Sequence, residues 1–443
     1  MTSIIAPASG TAKSGVIVIR VSGDNSKKLI EILCKKPCPK PRYASLRQIF
    51  DNDGNIIDNA LVLFFEGPNS FTGEDIAEFH IHGGPSVLTA FMSAALKTNL
   101  VELAKPGEFS KRAFRNGKMD LTQAEGLADL IDAETEAQRK QAMRQMRGDL
   151  KNQAHMWRDE IVDCLAEAEA YIDFPDEDLP SGLSHTNRNR ILKLSNSLKL
   201  HLEKSKSAQK IRDGLTIIII GAPNVGKSSF LNAICGREAA IVSSIAGTTR
   251  DIVEVSFVLR NNLVSIADTA GLREANDIIE QEGIKRALEK SQEADLIFGL
   301  ASNKKEAEFI KTHLNDGDYL IWSKSDTRDD KLIGTIELKN TIAEVEISSK
   351  NPDDISLIED IIIKKCIATS ETLEIAPLTR IRHYNAIERT IAHLDNALLI
   401  DDENPEIACE ELRMAARALG EFVGIVGIED IYDRIFSSFC IGK

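Results

Sequence analysis
The sequence predicts a multidomain chain that joins α/β to all-α architecture. An N-terminal α+β domain is expected over residues 1–118, a discontinuous helical bundle over 119–213 and 369–443, and an inserted P-loop α/β domain over 214–368. Three observations predict this. Short apolar runs alternate with helical stretches in the first hundred residues. Apolar positions in steps of three and four flank the middle of the chain on both sides. Between those flanks the run Leu215 to Ile220 ends in Gly221-Ala-Pro-Asn-Val-Gly226-Lys227-Ser228, the pattern of a phosphate-binding loop between a buried strand and a helix.

In the N-terminal segment, Gly15–Arg20, Ala60–Phe65 and Ile76–His82 read as strands, and Ser26–Cys34 and Pro85–Thr98 as helices. Arg20 closes a strand before Ser22-Gly23, Glu78 sits mid-strand, and Lys118 follows the turn Arg115-Asn-Gly. Singly, each of these charges is expected at the surface. Cys34 and Cys38, four apart beside Lys and Pro, read as unliganded surface thiols.

From Leu121 to Ile172 the apolar residues Met143, Met146, Leu150, Ala154, Trp157, Ile161, Leu165, Ala168 and Ile172 predict one long amphipathic helix or two. Pro175 and the acidic Asp176-Glu-Asp178 end it. A second helix, near 184–211, leads into the P-loop strand. Beyond Ala368 the periodicity resumes at Ile381, Tyr384, Ile387, Ile391, Leu394 and Leu398, then through Cys409–Val423 and Ile428–Phe436. Neither flank can bury its stripe alone, so one bundle split by the insert is the economical arrangement.

Within the insert, glycines let backbone N–H groups face phosphates, Lys227 reaches the β/γ oxygens and Ser228 offers a hydroxyl to Mg²⁺. Asp268-Thr269-Ala270-Gly271 follows the strand Leu263–Ala267. There Asp268 can hold Mg²⁺ through water, and the Gly271 N–H can approach the γ-phosphate. Ser323-Lys324-Ser325-Asp326 closes the strand Tyr319–Trp322, and Ser348-Ser349-Lys350 closes Ala343–Ile347. The Asp326 carboxylate would accept from guanine N1–H and its 2-amino group, a donor pair adenine lacks, while the Lys324 stem covers the base. Four elements in order, each after a strand, predict a Ras-like GTP-binding domain.

The expected GTP-binding set is Asn224, Val225, Gly226, Lys227, Ser228 and Ser229 in the loop, and Ser243, Ser244, Ile245, Ala246, Gly247, Thr248 and Thr249 after it. Asp268, Thr269, Ala270, Gly271, Ser323, Lys324, Asp326, Ser348, Ser349 and Lys350 complete it. Where Ras-type enzymes place a water-orienting Gln after D-x-A-G, this chain has Leu272, which neither accepts nor donates. The Asn224 side-chain carbonyl and the loop Ile241–Arg250 supply neutral, hard oxygens suited to K⁺, which would offset charge between the phosphates. Arg250 and Arg273 are the candidates for an arginine mechanism.

Composition bounds the partners. The 443 residues carry a net charge of −14 and a pI of about 5.2, so the whole molecule is not an electrostatic nucleic-acid binder. Any RNA contact is local or delivered by a partner. Seven cysteines without C-x-x-C pairs suit a reducing compartment. There is no charged n-region with an apolar h-region and no run of membrane-span length, so a soluble, cytoplasmic chain is expected.

Several blocks together resemble one family. They are Arg20-Val-Ser-Gly, the stretch Phe71-Thr-Gly-Glu-Asp to His-Gly-Gly84, and Lys105-Pro-Gly-Glu to Lys118-Met-Asp-Leu-Thr-Gln-Ala-Glu125. Asp173-Phe-Pro-Asp-Glu, the nucleotide motifs and the terminal Cys440-Ile-Gly-Lys443 complete them. With these the chain resembles the MnmE (TrmE) tRNA-modification GTPases over nearly its whole length. The resemblance implies that the N-terminal domain has the folate-binding fold of glycine-cleavage aminomethyltransferases. It would dimerise and bind 5-formyltetrahydrofolate, or a related tetrahydrofolate, through Arg20, Glu78, Lys118 and Lys443. It also implies K⁺ on Asn224, Ser243, Ile245 and Thr248, Mg²⁺ on Ser228 and Thr249, and Glu280 as the catalytic residue acting on the attacking water. The implied partners are a second copy of the chain, the flavoprotein MnmG (GidA) and tRNA, with no membrane or DNA. The implied reaction places an aminomethyl or carboxymethylaminomethyl group on C5 of the wobble uridine. A ribosome-assembly GTPase that binds RNA is the alternative reading, but no KH-like GXXG module or basic tail follows the P-loop domain.

Two departures from the family pattern stand out. SKSD replaces N-K-x-D, which removes an amide expected to tether the P-loop to the base side. The stretch Leu300–Gly317 is short for its helix and loops. At the chain end, Cys440-Ile-Gly-Lys443 has a C-a-a-X outline, but Gly442 and Lys443 argue against prenylation. Cys440 reads from its neighbours as a buried small hydrophobe. By resemblance it is required for tRNA modification, as nucleophile or as structural residue.

Overall fold
The computed structural model describes residues 2–173, 185–222, 224–236, 240–244, 253–268, 294–327, 337–339, 342–370, 376–401, 404–424, 439 and 442. The N-terminal segment runs β1 (Ser3–Pro7), β2 (Ser14–Ser22), α1 (Ser26–Cys34), β3 (Ser45–Phe50), β4 (Ile56–Phe65), β5 (Ile76–Gly83), α2 (Pro85–Leu96), β6 (Val101–Leu103) and α3 (Glu108–Arg115). Its strands form one sheet in the order β3-β4-β5-β2-β1-β6. Alternation decides the faces. Ile17, Ile19, Val21, Ala60, Val62, Ala77, Phe79 and Ile81 point to a core shared with Leu29, Ile30, Leu33 and Phe91. Arg20 and Glu78 are register partners on the opposite face. There Ile4, Ala6, Ala104, Phe109 and Phe71 build a smaller apolar cluster. Cys34 is no surface thiol. As the last residue of α1 it lies on the helix's inner face, 1 % exposed, and burial pushes its pKa up to about 11.

Three helices, rather than one or two, follow: α4 (Leu121–Ile131), α5 (Glu136–Met146) and α6 (Asp149–Asp173). Local capping makes the breaks. Asp120 accepts from the Gln123 N–H while Gln123 Oε1 accepts from the Asp120 N–H, and Thr135 and Gln138 repeat the exchange before α5. Gly148, at φ +89°, separates α5 from α6. Leu150, Ala154, Trp157, Ile161, Cys164 and Ala168 form the buried stripe of α6. Next come α7 (His185–Asp213), β7 (Leu215–Gly221), α8 (Lys227–Cys235), β8 (Ala240–Ser244), β9 (Val253–Leu259), β10 (Asn262–Asp268), β11 (Leu296–Ala301) and the eight-residue α9 (Lys304–Lys311). The chain continues through β12 (Tyr319–Trp322), β13 (Glu337–Lys339), β14 (Ile342–Glu346), α10 (Pro352–Ser370), α11 (Ile381–Leu399) and α12 (Pro405–Val423).

The chain divides into two units, residues 1–128, 145–191 and 392–443 in one, and 129–144 and 192–391 in the other. In the first, α12 packs along α6, and Arg413 pairs with Glu169 at 2.7 Å. In the second, a sheet runs β13-β14-β12-β11-β7-β10-β9-β8. β7 lies between parallel neighbours β10 and β11, and its isoleucines divide between two cores. Ile217 and Ile219 enter one with Phe230 and Phe298, and Ile218 and Ile220 enter the other with Leu320 and Trp322. Burial on both faces is why the strand reads as an unbroken apolar run, and each isoleucine contributes about 1.5–3 kcal/mol. The two ends of the strand-rich part are tied together in this unit. His201 bonds Ala376 O, the Tyr384 hydroxyl donates to Ser205 O, and Arg212 donates to Thr379 O. The chain therefore mixes a folded α+β segment, helices and a P-loop α/β sheet, as the sequence predicts. None of its described helices is long and apolar enough to cross a membrane.

Candidate functional site
Strand order reverses at β7, with β8–β10, which follow it in the chain, on one side and the later β11 on the other, the arrangement that leaves a crevice at the C-terminal end of β7. Gly221 is needed there because a Cβ would lie 2.6 Å from Leu300 O. Gly226, at φ +110°, turns the chain so that α8 begins at Lys227 with its first N–H groups open to an anion. Lys227 is 6 % exposed and donates from Nζ to Gly221 O at 2.5 Å and Ala222 O at 3.1 Å. Its ammonium therefore lies within the mouth of the loop. Asn224 (φ +58°), Ser228 and Ser229 are exposed, and among the described residues the Asn224 amide and the Ser228 hydroxyl have no partner.

The end of β12 adjoins the loop, and the end of β14 adjoins that of β12. The buried Ser323 hydroxyl donates to Val225 O at 2.7 Å, and Lys324 Nζ donates to Asn224 O at 2.7 Å. The expectation that SKSD untethers the P-loop is therefore corrected. A serine hydroxyl at the strand end reaches a loop carbonyl directly. Asp326 lies in a single 3₁₀ turn, Ser325–Thr327, and meets Lys350 Nζ at 2.8 Å. Lys350 and the Ser348 hydroxyl hold the Asp326 carboxyl below its ordinary pKa, so the acceptor stays ionised. Ser348 is itself fixed, its N–H donating to Asp354 at 2.7 Å.

On the N-terminal sheet, Arg20 binds the Glu78 carboxylate at 2.9 Å. His80 Nε2 stands 3.6 Å from the other Glu78 oxygen. The Arg20 guanidinium also lies over Phe71, 5.2 Å from the ring centre. An open cleft of about 530 Å³ adjoins, lined by Arg42, Phe65, Asn69, Ser70, Phe71 and Lys118. Much of the Phe71-Thr-Gly-Glu stretch is scaffold. Ser22, Thr72 and Glu74 bond one another, Arg112 grips Glu74 at 2.9 Å, and Asn116 donates to Thr72 O. Near the chain end, Phe439 packs on Leu121 and Ala124. Gly442 (φ +97°) lies so close to β1 that a Cβ would meet Pro7 O at 1.8 Å.

Comparison with known proteins fits this geometry. Residues 121–440 match the family described as MnmE helical domain, and residues 3–118 that described as GTP-binding protein TrmE N-terminus. The tRNA modification GTPase MnmE of Maricaulis maris is 44 % identical, with 100 % of each chain covered. The chain belongs to the MnmE family of tRNA modification GTPases. The Caulobacter vibrioides MnmE is 42 % identical over 100 % of this chain and 99 % of its own. Among solved structures, the G domain of the T. maritima FeoB iron transporter is 18 % identical and covers 34 % of this chain and 98 % of its own. Its TM-score of 0.27 adds nothing to the family assignment.

Of the residues singled out through the MnmE resemblance, the structure brings Arg20 and Glu78 into one ion pair and puts Lys118 on the adjoining cleft. Ser243 and Ser244 lie at the end of β8, and Asp268 ends β10 in register with Ile219 of β7. Ile245, Ala246, Gly247, Thr248, Thr249, Thr269, Ala270, Gly271, Glu280, Cys440 and Lys443 lie outside the described residues, as do Arg250, Leu272 and Arg273. Sequence reasoning missed Arg42 and Phe65, which carry no motif. It also missed the pairing of Lys350 with Asp326, although both motifs had been placed at strand ends.

Proposed function
We propose that this chain is a K⁺-stimulated GTPase that modifies the wobble uridine of tRNA at C5, as a homodimer working with the flavoprotein MnmG in the cytoplasm. The observation that carries the nucleotide reading is the meeting of three strand-end loops at one edge. The Gly221–Ser228 loop, Ser323–Asp326 and Ser348–Lys350 are linked by the Ser323–Val225, Lys324–Asn224 and Lys350–Asp326 bonds. Family membership carries the tRNA reading.

Lys227 would leave the Gly221 and Ala222 carbonyls for the β/γ oxygens, where its charge offsets what develops in hydrolysis. Glu280 would act on the attacking water, since Leu272 cannot. Ser228 would hold Mg²⁺ together with Thr249, and Asn224 would hold K⁺ with Ser243, Ile245 and Thr248; no described residue engages the Ser228 hydroxyl or the Asn224 amide, which fits those roles. Both ions would supply positive charge at the phosphates. GTP hydrolysis would drive a conformational cycle, not supply bond energy to the base.

The N-terminal cleft fits a tetrahydrofolate. Arg20 occupies one Glu78 oxygen, which leaves the other to accept from a pterin, while Lys118 offers a cation to an anionic tail. The folate would supply a one-carbon unit. The described tail residues support a role for Lys443, because Gly442 lies against Pro7, whose neighbour Ala6 is the register partner of Arg20. We propose the boundaries 1–118, 119–213, 214–368 and 369–443 as functional domains.

Two variants test these sites. Asp326→Asn should shift preference towards xanthosine nucleotides, whose C2 oxygen needs a donor, and competition titrations measure it; unmodified protein that binds ATP and GTP equally would remove the guanine reading. Glu78→Gln should weaken 5-formyltetrahydrofolate binding roughly tenfold, the size of one charged hydrogen bond, and leave GTP affinity alone. An unaltered folate titration returns Glu78 to a structural ion pair with Arg20.

A further inference from the structure
A hydroxyl carries one hydrogen, and that of Ser323 is committed. It donates to Val225 O at 2.7 Å from a site only 3 % exposed, with Ala301 O a distant second acceptor at 3.4 Å. The next residue does the same, Lys324 spending an ammonium hydrogen on Asn224 O. Two consecutive residues at the end of β12 thus pin two consecutive carbonyls of the P-loop.

We infer that Ser323 is a specificity-determining and positioning residue: it pins the P-loop and offers no side-chain donor of its own to the N7/O6 edge of a guanine bound there. The inference rests on the guanine-nucleotide reading of this domain and sharpens it. One carbon, C8, separates N7 from N9, the ring nitrogen that carries the sugar, so of the two acceptors on that edge N7 lies nearer the phosphates and their loop. Ser323 stands on that side of Asp326, because its bond runs to the loop itself. Asp326 reads the far edge, N1–H and the 2-amino group. An asparagine at 323 would be one bond longer and carry two N–H donors and an oxygen, enough to hold the loop and address the base together. Serine has only the first capacity. The pin matters for affinity because Lys227 now rests on carbonyls of the same loop and must exchange them for phosphate. A loop held in its arch before binding loses less affinity to reordering.

The test is equilibrium titration of the full chain with GTP, ATP and 7-deaza-GTP, in which N7 is replaced by C–H. Unmodified protein should bind 7-deaza-GTP within about twofold of GTP, since no hydrogen bond is lost. A penalty near that of one hydrogen bond, roughly five- to tenfold, would overturn the inference. Ser323→Asn should create such a penalty for 7-deaza-GTP, and an unchanged ratio would contradict the claim. Ser323→Ala should weaken GTP and 7-deaza-GTP alike, by roughly tenfold, as a buried carbonyl loses its donor. Ser323→Thr, which keeps the hydroxyl, should restore binding. Equal loss in the Ala and Thr variants would show that the hydroxyl is not the pin. If GTP holds no advantage over ATP, the guanine reading fails, which is separate from a 7-deaza penalty beside intact GTP preference.

Discussion

Replacing Lys227 by alanine is expected to lower GTP turnover by roughly 10²–10³, the loss seen when one preorganised group facing developing charge is removed. The geometry is the reason. Lys227 is the first residue of α8, its stem is buried, and its ammonium already lies on the carbonyls of Gly221 and Ala222. It has a short path to a β/γ-phosphate, where its charge acts together with the open N–H groups of the helix start. Nucleotide affinity should fall as well, because the ground state shares part of that attraction. The fold should survive, since α8 keeps Phe230, Leu231 and Ile234 in its core. Phosphate release and GTP titration measure the two effects. Turnover within threefold of the unmodified chain would show that this loop does not hold the reacting phosphates.

The second large effect concerns the water and the cation. Glu280→Ala should lower turnover by roughly 10²–10⁴, the contribution of a positioned general base, while GTP binding persists. Exchanging Na⁺ for K⁺ at fixed ionic strength should raise turnover of the unmodified chain strongly, because the larger ion fits a cage of carbonyl oxygens that Na⁺ leaves loose. Asn224→Ala should abolish that response and keep nucleotide binding. The Asn224 backbone carbonyl, pinned by Lys324, is unchanged by the substitution, and Lys227 remains. Hydrolysis indifferent to K⁺, or lost with Arg250 or Arg273 and not with Glu280, would establish an arginine mechanism instead.

What the sequence made legible depended on whether backbone geometry or side-chain reach was at stake. The P-loop was legible because Gly221 and Gly226 stand where only glycine fits and a doubly buried isoleucine strand precedes them. The strands around Arg20 and Glu78 were legible as apolar runs, but their cross-strand pairing follows from register. β1, β3 and β6 were not legible: they have three to six residues, too few for a period to emerge, and no nucleotide motif marks their ends as it does those of the equally short β12 and β14. The count of helices between residues 121 and 173 turned on side-chain caps at Asp120 and Thr135 and on Gly148, all invisible to apolar spacing alone. Ser323 shows the same limit at the site. The motif departure is plain in the sequence, but a hydroxyl reaching Val225 O depends on how closely β12 and the loop approach. Cys34 was misread because its Lys/Pro neighbours suggest a surface loop, whereas the last turn of α1 carries it inward.

The claim that unites these sites is that nucleotide turnover here serves wobble-uridine modification. Its most direct test is mass spectrometry of tRNA nucleosides from cells that lack this chain, compared with cells given back either the unmodified chain or Lys227→Ala. The account predicts that the C5 aminomethyl and carboxymethylaminomethyl uridines disappear, return with the unmodified chain, and stay absent with Lys227→Ala. Wobble nucleosides unchanged by loss of the chain, accompanied by a defect in ribosome assembly, would contradict it.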